Sequence, residues 1–381
     1  MKPYAARANR IMGMGAFGVW EKAMVLERQG RDIIHLELGE PDFETPTHIM
    51  EAAHKGMLAG RTRYGSSAGE WHLREAIAAY LQRSRNIHVT PKRIMVTPGV
   101  KGALSYTMLS MIEAGDEVLL PTPGYPPYKE LVAFANGKSV LYELKQEDAF
   151  QINSAEISQK ITPRTKAIIL NSPSNPTGTL LSRESLEKVA AIAKEHDLWI
   201  IADEVYFQMY YTADRPISIY ELPDMAERTI LLDGFSKAYA MTGWRLGFAV
   251  IPEDLADNYS KMMVSVHSNL PQFIQDAGAV ALNGPQDCVA EMVAAYKRRR
   301  DLTYAALSTM DNIETVYPDG AFYILMDIRK TGLDSETLAY QILNQGVALL
   351  PQGPDYLRIA FTQSESSMAK ALEIMRKVVN N

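Results

Sequence analysis

The sequence predicts an α/β fold with a large domain, in which a mostly parallel seven-stranded sheet lies between helices, and a smaller α+β domain built from both chain ends. Short apolar runs rich in β-branched residues alternate with longer helical patterns through the middle of the chain, which is typical of parallel sheets covered on both faces. After Gly284-Pro285 this alternation stops. The chain has 381 residues, 47% of them hydrophobic, enough for two cores.

The seven predicted strands are short apolar runs with β-branched residues, several of them separated by helical stretches. They are predicted at residues 93–97, 117–120, 139–144, 166–171, 198–203, 229–233 and 247–251. Helices are predicted at 100–113 and 183–196, then a long helix at 287–308, strands at 321–327 and 356–361, and a last helix to residue 379. We therefore expect a large domain at residues 46–284 and a small domain formed by 1–45 and 285–381.

Composition excludes several classes of protein. The net charge of -6 and the pI of about 5.7 disfavour binding to nucleic acid or to an anionic membrane. The single cysteine, Cys288, allows no intrachain disulfide, and the seven histidines show no paired ligand spacing, so no metal site is expected. We see neither a signal peptide nor a membrane-spanning stretch, and expect a cytoplasmic protein.

Chemistry-bearing residues follow the predicted strands, where α/β sheets bind ligands. In Asp233-Gly-Phe-Ser-Lys237, the lysine directly follows a strand, and an amine there can form an imine with an aldehyde cofactor. Ser236 and Arg245 can contact a phosphate dianion. The alternative is an ordinary lysine and arginine on a surface loop.

Three further segments offer polar groups. Asn175 lies in a Pro- and Gly-punctuated turn, and its amide can bind a cofactor oxygen or a carboxylate. Asp203 ends an apolar strand and needs a partner if buried, for which a protonated pyridine nitrogen would serve. Tyr206, three residues later, could bind a ring oxygen of the same pyridine compound. Val100 and Lys101 follow a glycine turn, where free N–H groups of a helix start bind anions. Taken singly, each segment also fits a structural turn or cap.

Together these segments resemble the class I and II aminotransferases, which are pyridoxal-phosphate enzymes of fold type I. The resemblance runs from about residue 33 to 361 and keeps the order and spacing of the family's motifs. Asp203 stands 28 residues after Asn175, Tyr206 three after Asp203, and Arg245 eight after Lys237. The resemblance implies pyridoxal 5'-phosphate as the cofactor, held by Lys237 as a Schiff base in the large domain.

The resemblance also implies a role for each residue. Lys237 is similar to the lysine that shuttles the substrate's α-proton, Asp203 to the partner of the pyridine nitrogen, and Asn175 and Tyr206 to the pair on the ring oxygen. The predicted phosphate cup is Val100, Lys101, Ser236 and Arg245. Tyr125 resembles the aromatic residue that stacks on the cofactor ring.

Substrate binding and assembly are implied as well. Arg358 resembles the arginine that grips the substrate α-carboxylate, and the segment around Gly39 resembles the one that closes over that carboxylate. Tyr64 is similar to the tyrosine that reaches the cofactor phosphate of the neighbouring subunit. We therefore expect a homodimer with shared active sites, acting on an amino acid and a 2-oxo acid.

Two features depart from the family's common pattern. Gly234 stands where many members have a phosphate-binding serine, and the segment from Gly346 to Arg358 is short, which could open the substrate entrance. The leading hypothesis is an aminotransferase that moves the amino group of an L-α-amino acid to a 2-oxo acid in a ping-pong mechanism. The alternative is a lyase, cyclase or amino-acid oxidase on the same scaffold. A non-catalytic binding module is a third hypothesis, disfavoured by the intact site residues.

Overall fold

The computed structural model of the protein describes residues 15–380. Its α-helices, in chain order, are α1 (Gly15–Arg28), α2 (Thr47–Leu58), α3 (Trp71–Arg85), α4 (Gly99–Met111), α5 (Pro127–Phe134), α6 (Ser154–Lys160), α7 (Arg183–Glu195), α8 (Phe235–Ala238), α9 (Ala256–His267), α10 (Gln272–Asn283), α11 (Asp287–Leu307), α12 (Ser335–Leu343) and α13 (Glu365–Val379). Its strands are β1 (Ile34–His35), β2 (Ile94–Pro98), β3 (Glu117–Thr122), β4 (Lys138–Glu143), β5 (Thr165–Asn171), β6 (Trp199–Asp203), β7 (Thr229–Gly234), β8 (Leu246–Val250), β9 (Glu314–Thr315), β10 (Tyr323–Asp327), β11 (Val347–Ala348), β12 (Leu350–Gln352) and β13 (Tyr356–Ala360).

The predicted seven-stranded sheet is confirmed. Its strand order is β2-β8-β7-β6-β5-β3-β4, and every neighbouring pair is parallel except those that involve β8. The bounds of these strands lie within two residues of those predicted. The central strands β6 and β7 are buried along almost their whole length, as expected when helices cover both faces of a parallel sheet.

The carboxyl edge of this sheet collects the ends of its central strands. Asn171, the last residue of β5, pairs in register with Asp203, the last residue of β6. Strand β7 ends at Gly234 and passes directly into α8, which carries Lys237. Residues far apart in sequence therefore meet at one edge.

A second, antiparallel sheet lies in the carboxyl-terminal part of the chain, in the order β12-β13-β10-β9, while β1 pairs with β11 in a separate parallel pair. A core of buried side chains joins this sheet to α11, α12 and α13, and it includes Ile34 and Leu36 from the amino-terminal part. The domain limits of residues 45/46 and 284/285 stay a prediction. Between residues 15 and 380, no helix combines the length and the apolarity that crossing a bilayer requires.

Candidate active site

A cavity of about 380 Å³ opens at the carboxyl edge of the large sheet. It is lined by the ends of several strands, the first turn of α4, the helix α8 and the loop after β1. The lining residues are Glu37, Leu38, Gly39, Glu40, Val100, Lys101, Leu104, Tyr125, Tyr128, Asn171, Asn175, Asp203, Val205, Tyr206, Ser236, Lys237, Thr242, Arg245, Tyr323 and Arg358.

Eleven of the twelve predicted site residues line this cavity. They are Gly39, Val100, Lys101, Tyr125, Asn175, Asp203, Tyr206, Ser236, Lys237, Arg245 and Arg358. Tyr64 is the exception, because it lies in the loop between α2 and α3 with its side chain exposed to solvent. A single chain therefore brings together the whole predicted set apart from Tyr64, the residue predicted to reach the site of a neighbouring subunit.

Lys237 projects its amine toward the loop after β1. Its Nζ donates a hydrogen bond to the Gly39 carbonyl at 2.5 Å. Burial lowers the pKa of Lys237 to about 8, and the guanidinium groups of Arg358 and Arg245 contribute in the same direction. An amine with a pKa near neutrality is available both as a nucleophile and as a proton carrier.

Asp203 is a buried carboxylate between β5 and β7. Its Oδ2 accepts a hydrogen bond from the Tyr128 hydroxyl at 2.7 Å, and its backbone carbonyl accepts one from Asn171 Nδ2 at 2.9 Å. Burial raises the pKa of Asp203 to about 6, against the effect of the Tyr128 hydrogen bond. A cationic nitrogen placed beside this carboxylate would keep it ionised.

Arg358 lies on β13 and is buried. Its Nη1 donates to the Asn175 side-chain oxygen at 3.0 Å, and its Nη2 donates to the Glu37 carbonyl. Its Nε is buried without a hydrogen-bond partner. A buried donor of this kind needs an acceptor, and a ligand carboxylate can provide it.

Tyr206 and Tyr323 form a hydroxyl pair at 2.8 Å. The Tyr323 ring also lies 4.4 Å from the Arg358 guanidinium carbon. On its other side Tyr323 approaches Gly39, where an added Cβ would come within 1.8 Å of the tyrosine hydroxyl. Any side chain at position 39 would thus displace Tyr323 from the pocket wall.

The first turn of α4 lines the cavity and could hold an anion. Gly99 opens the helix at φ +73°, and a Cβ there would meet Arg245 Nη2 at 2.7 Å. Gly247 allows the same close approach, since its Cβ would lie 2.7 Å from the Val100 nitrogen. Backbone N–H groups, Ser236 and Arg245 therefore surround one concave space that suits a phosphate.

Position 234 is packed tightly. A Cβ on Gly234 would come within 3.0 Å of the Val100 side chain and of the Gly247 Cα. A serine at this position would push against the start of α4, whose first turn could hold an anion. The departure from the family's common residue therefore has a steric reason in this chain.

The short segment before Arg358 is a tight β-hairpin. Gln352 pairs with Tyr356 across a turn of three residues, and Leu350 pairs with Arg358. No residue of positions 349–356 lines the cavity. The hairpin therefore holds Arg358 in the sheet without covering the ligand space.

Taken together, the cavity residues fit pyridoxal phosphate. The anion site matches its phosphate, the buried Asp203 carboxylate matches its ring nitrogen, and the Lys237 amine matches its aldehyde. The described part of the chain, residues 15–380, contains no cluster of three or more His, Cys, Asp or Glu side chains that could hold a metal ion.

Sequence reasoning missed two tyrosines of the site. Tyr128 follows the Pro126-Pro127 pair in α5, and only its place in the sequence near Tyr125 hinted at the cavity. Tyr323 begins β10, and no motif marks it. Its position follows from the pairing of β10 with β13, which sets it opposite Ala360.

The comparisons with known proteins all identify aminotransferases as similar to this chain. The family described as aminotransferase class I and II matches residues 31–375. The aspartate aminotransferase of Pyrococcus abyssi is 40% identical over 92% of this chain and 92% of its own length. The aspartate/prephenate aminotransferase of Thermus thermophilus is 36% identical over 100% of this chain and 99% of its own. The solved structure of the Thermus thermophilus aspartate aminotransferase with maleate superposes with a TM-score of 0.95 at 35% identity, covering 99% of this chain and 100% of that one.

Proposed function

The chain belongs to the class I and II aminotransferase family, and on this basis we propose how its residues carry out transamination with pyridoxal phosphate. The reaction moves the amino group of an L-α-amino acid to a 2-oxo acid. The observation that carries the proposal is the convergence, in one cavity, of the Lys237 amine, the buried Asp203 carboxylate and the Arg358 guanidinium with its unpaired Nε.

In this proposal the large domain of residues 46–284 holds the cofactor. Lys237 binds its aldehyde, Asp203 its ring nitrogen, and Asn175 and Tyr206 its ring oxygen, while Tyr125 stacks on the ring. The phosphate is held by Ser236, Arg245 and the backbone at Val100 and Lys101. Bound there, pyridoxal phosphate supplies an aldehyde that condenses with amines and a ring that withdraws electrons, which acidifies the substrate's α-proton.

Residues of the chain orient the substrate, carry the proton and exclude water. Arg358 binds the substrate α-carboxylate and, with Asn175, fixes which α-bond faces Lys237. Lys237 Nζ would accept the α-proton as a base and release it again as an acid, a role for which a pKa of about 8 is suited. Tyr128 donates to Asp203 and so keeps that carboxylate oriented. The buried tyrosines Tyr206 and Tyr323 form one wall of the pocket and exclude water from it.

We further propose a cytoplasmic homodimer with shared active sites. Exposed apolar side chains occur on α2, on α9 and at the start of α3, namely Met50, Met57, Leu58, Trp71, Val264 and Val266. In this proposal an interface with a second copy of the chain buries these side chains. The exposed Tyr64 lies in the neighbouring loop, and Arg61 of that loop is anchored to Asp276 of α10 by two hydrogen bonds. A single cysteine in 381 residues agrees with a reducing compartment.

The test is the visible absorbance of the purified, cofactor-loaded protein during titration with single L-amino acids. Aspartate, aromatic, branched and basic amino acids are added without a 2-oxo acid, and a 2-oxo acid is added afterwards. Transamination predicts that the cofactor's absorbance band bleaches with the correct donor and recovers with the acceptor. Steady release of product from an amino acid alone, with no bleaching, would instead identify a lyase, cyclase or oxidase.

A further inference from the structure

A cluster of buried charges lies directly behind the active site. Arg85, the last residue of α3, is fully buried. Its Nη2 donates to Asp233 Oδ2 at 2.5 Å, and its Nε lies 2.9 Å from Glu204 Oε2. Asp233 and Glu204 are both buried as well. None of these three residues lines the cavity.

Each acid of this cluster belongs to a segment that carries a site residue. Glu204 directly follows Asp203 and precedes Tyr206 by two residues, at the end of β6. Asp233 lies near the end of β7, four residues before Lys237. The cluster therefore links the ends of two neighbouring strands whose next residues form the floor of the cavity.

The surrounding contacts fix the guanidinium in place. The Phe207 ring centroid lies 3.8 Å from the Arg85 guanidinium carbon, and the Tyr80 hydroxyl donates to Asp233 Oδ2 at 3.3 Å. Asp233 Oδ1 accepts the Gly234 N–H at 2.6 Å, and Glu204 Oε1 accepts the Ser218 hydroxyl at 2.5 Å. Asp233 is thus hydrogen-bonded to Arg85 on one side and to its own strand end on the other. Glu204 forms an ion pair with Arg85 and a hydrogen bond with Ser218.

We propose that Arg85 is a positioning residue of the active site, which acts through Asp233 and Glu204 to hold the strand ends that carry Lys237 and Asp203. A planar guanidinium can bind two carboxylates in fixed directions, which an ammonium cannot do. Stability alone does not explain such a buried ion cluster, because apolar residues of the same volume often stabilise a core equally well. The cluster's position on both site-bearing segments gives it a reason to be there. This inference rests on the proposed roles of Lys237 and Asp203.

The test compares variants that separate positioning from stability. Arg85→Met breaks the cluster and leaves two buried acids, so it is expected to destabilise the fold. The charge-free variant Arg85→Met/Glu204→Gln/Asp233→Asn removes those acids and is expected to recover the unfolding midpoint. Arg85→Lys keeps the positive charge but lacks the planar guanidinium group. It therefore still tests the proposal if Arg85→Met does not fold. The control is Glu117→Gln, which removes a buried acid that pairs with the exposed side chains of Lys138 and Arg164 at the opposite end of the sheet.

The first measurement is the dissociation constant of pyridoxal phosphate from the apoprotein. The second is amide hydrogen exchange at Glu204 and Gly234 in the same apoprotein, and the third is the split of kcat and KM for the amino-acid donor. Positioning predicts that the dissociation constant rises about tenfold in all three Arg85 variants, with faster exchange at both amides. The kcat should fall while KM stays nearly constant, because Arg358 is untouched.

The outcomes distinguish this inference from the proposed function. It is overturned if the charge-free variant binds the cofactor as tightly as the unaltered protein, or if Glu117→Gln weakens binding equally. Failure of the unaltered protein to bind pyridoxal phosphate would count against the proposed function instead. A rise in the dissociation constant confined to the Arg85 variants supports the positioning role.

Discussion

Arg358 donates a hydrogen bond from Nη1 to the side-chain oxygen of Asn175 at 3.0 Å, although 183 residues separate the two in sequence. Asn175 comes from the turn after β5 and Arg358 from the second sheet. The bond therefore joins the two sheets across the cavity, and it orients a guanidinium whose Nε has no partner of its own.

Replacing Arg358 by lysine should impair substrate binding far more than the chemistry. A lysine ammonium cannot grip a carboxylate bidentately, and the loss of one charged hydrogen bond is worth roughly 1.5–3 kcal/mol. We expect kcat/KM for an amino acid to fall about 100-fold, mainly through KM. An amine without a carboxylate is the matched substrate, and its kcat/KM should hardly change. An equal loss for both substrates would contradict the role of Arg358.

Replacing Lys237 by alanine should abolish covalent attachment of the cofactor. Borohydride reduction of the loaded protein is expected to add the cofactor mass to the unaltered chain, on the peptide that contains Lys237, and to add nothing to the variant. Because Lys237 also carries the proton, kcat should fall by at least about 10³-fold. Lys101→Ala is the control, because it removes the other lysine that lines the cavity and keeps the backbone N–H of residue 101. Labelling of a different lysine in the unaltered protein would refute the assignment.

The rate at which the apoprotein takes up pyridoxal phosphate should depend on pH through Lys237. Only the neutral amine attacks an aldehyde, and burial lowers the pKa of this amine to about 8. The uptake rate should therefore rise from pH 6.5 to about 9 and then level off, as followed by stopped-flow absorbance. Free lysine under the same conditions provides the comparison, and its rate should keep rising to higher pH. A rate independent of pH between 7 and 9 would show that the amine titrates elsewhere.

Most of this site could be predicted from sequence because parallel strands end at one edge of a sheet. Asp203 ends a strand and Asn175 and Lys237 each follow one, so their proximity follows from the topology. Tyr323 could not be found in this way, since its position depends on the register between β10 and β13. Only that pairing brings its hydroxyl to Tyr206.

Arg85 shows a different limit of sequence reasoning. An arginine in the last turn of a helix usually lies in solvent, where it complements the helix dipole. Here the packing of α3 on the sheet buries it against two acids at the ends of neighbouring strands. The sequence contains each partner, but no local spacing relates Arg85 to Glu204 or to Asp233, and only the packing of α3 on the assembled sheet brings them together.

His35 should make the stability of the protein depend on pH. Its Nδ1 lies 2.7 Å from Glu37 Oε1 and its Nε2 lies 3.2 Å from Glu27 Oε1. The hydrogen bond to Glu37 raises the pKa of His35 to about 9, against the effect of burial. Since this folded-state pKa lies above the unfolded value of 6.5, the stabilisation is complete below pH 6.5 and is lost as the pH rises through about 9.

The variant His35→Gln should therefore lower the free energy of unfolding by on the order of 2 kcal/mol at pH 6. At pH 10 the difference from the unaltered protein should nearly vanish. Urea unfolding of both proteins at the two pH values measures this, with His88→Gln, a change at an exposed histidine, as the control. A deficit of the same size at both pH values would mean that His35 contributes by packing alone.

Tyr64 should act on the active site of the other subunit. Its side chain is exposed and does not line the cavity of its own chain. Tyr64→Ala and Lys237→Ala should each form dimers with impaired cofactor binding or no activity. A mixed dimer of the two would combine the intact Lys237 of one subunit with the intact Tyr64 of the other, and so contain one complete site.

Unfolding and refolding the variants together at equal amounts should therefore restore about a quarter of the unaltered activity per site, since half of the dimers are mixed. Refolding each variant alone is the control. If the mixture shows only the average of the two separate activities, Tyr64 does not serve a shared site, and the cofactor phosphate is held within a single chain.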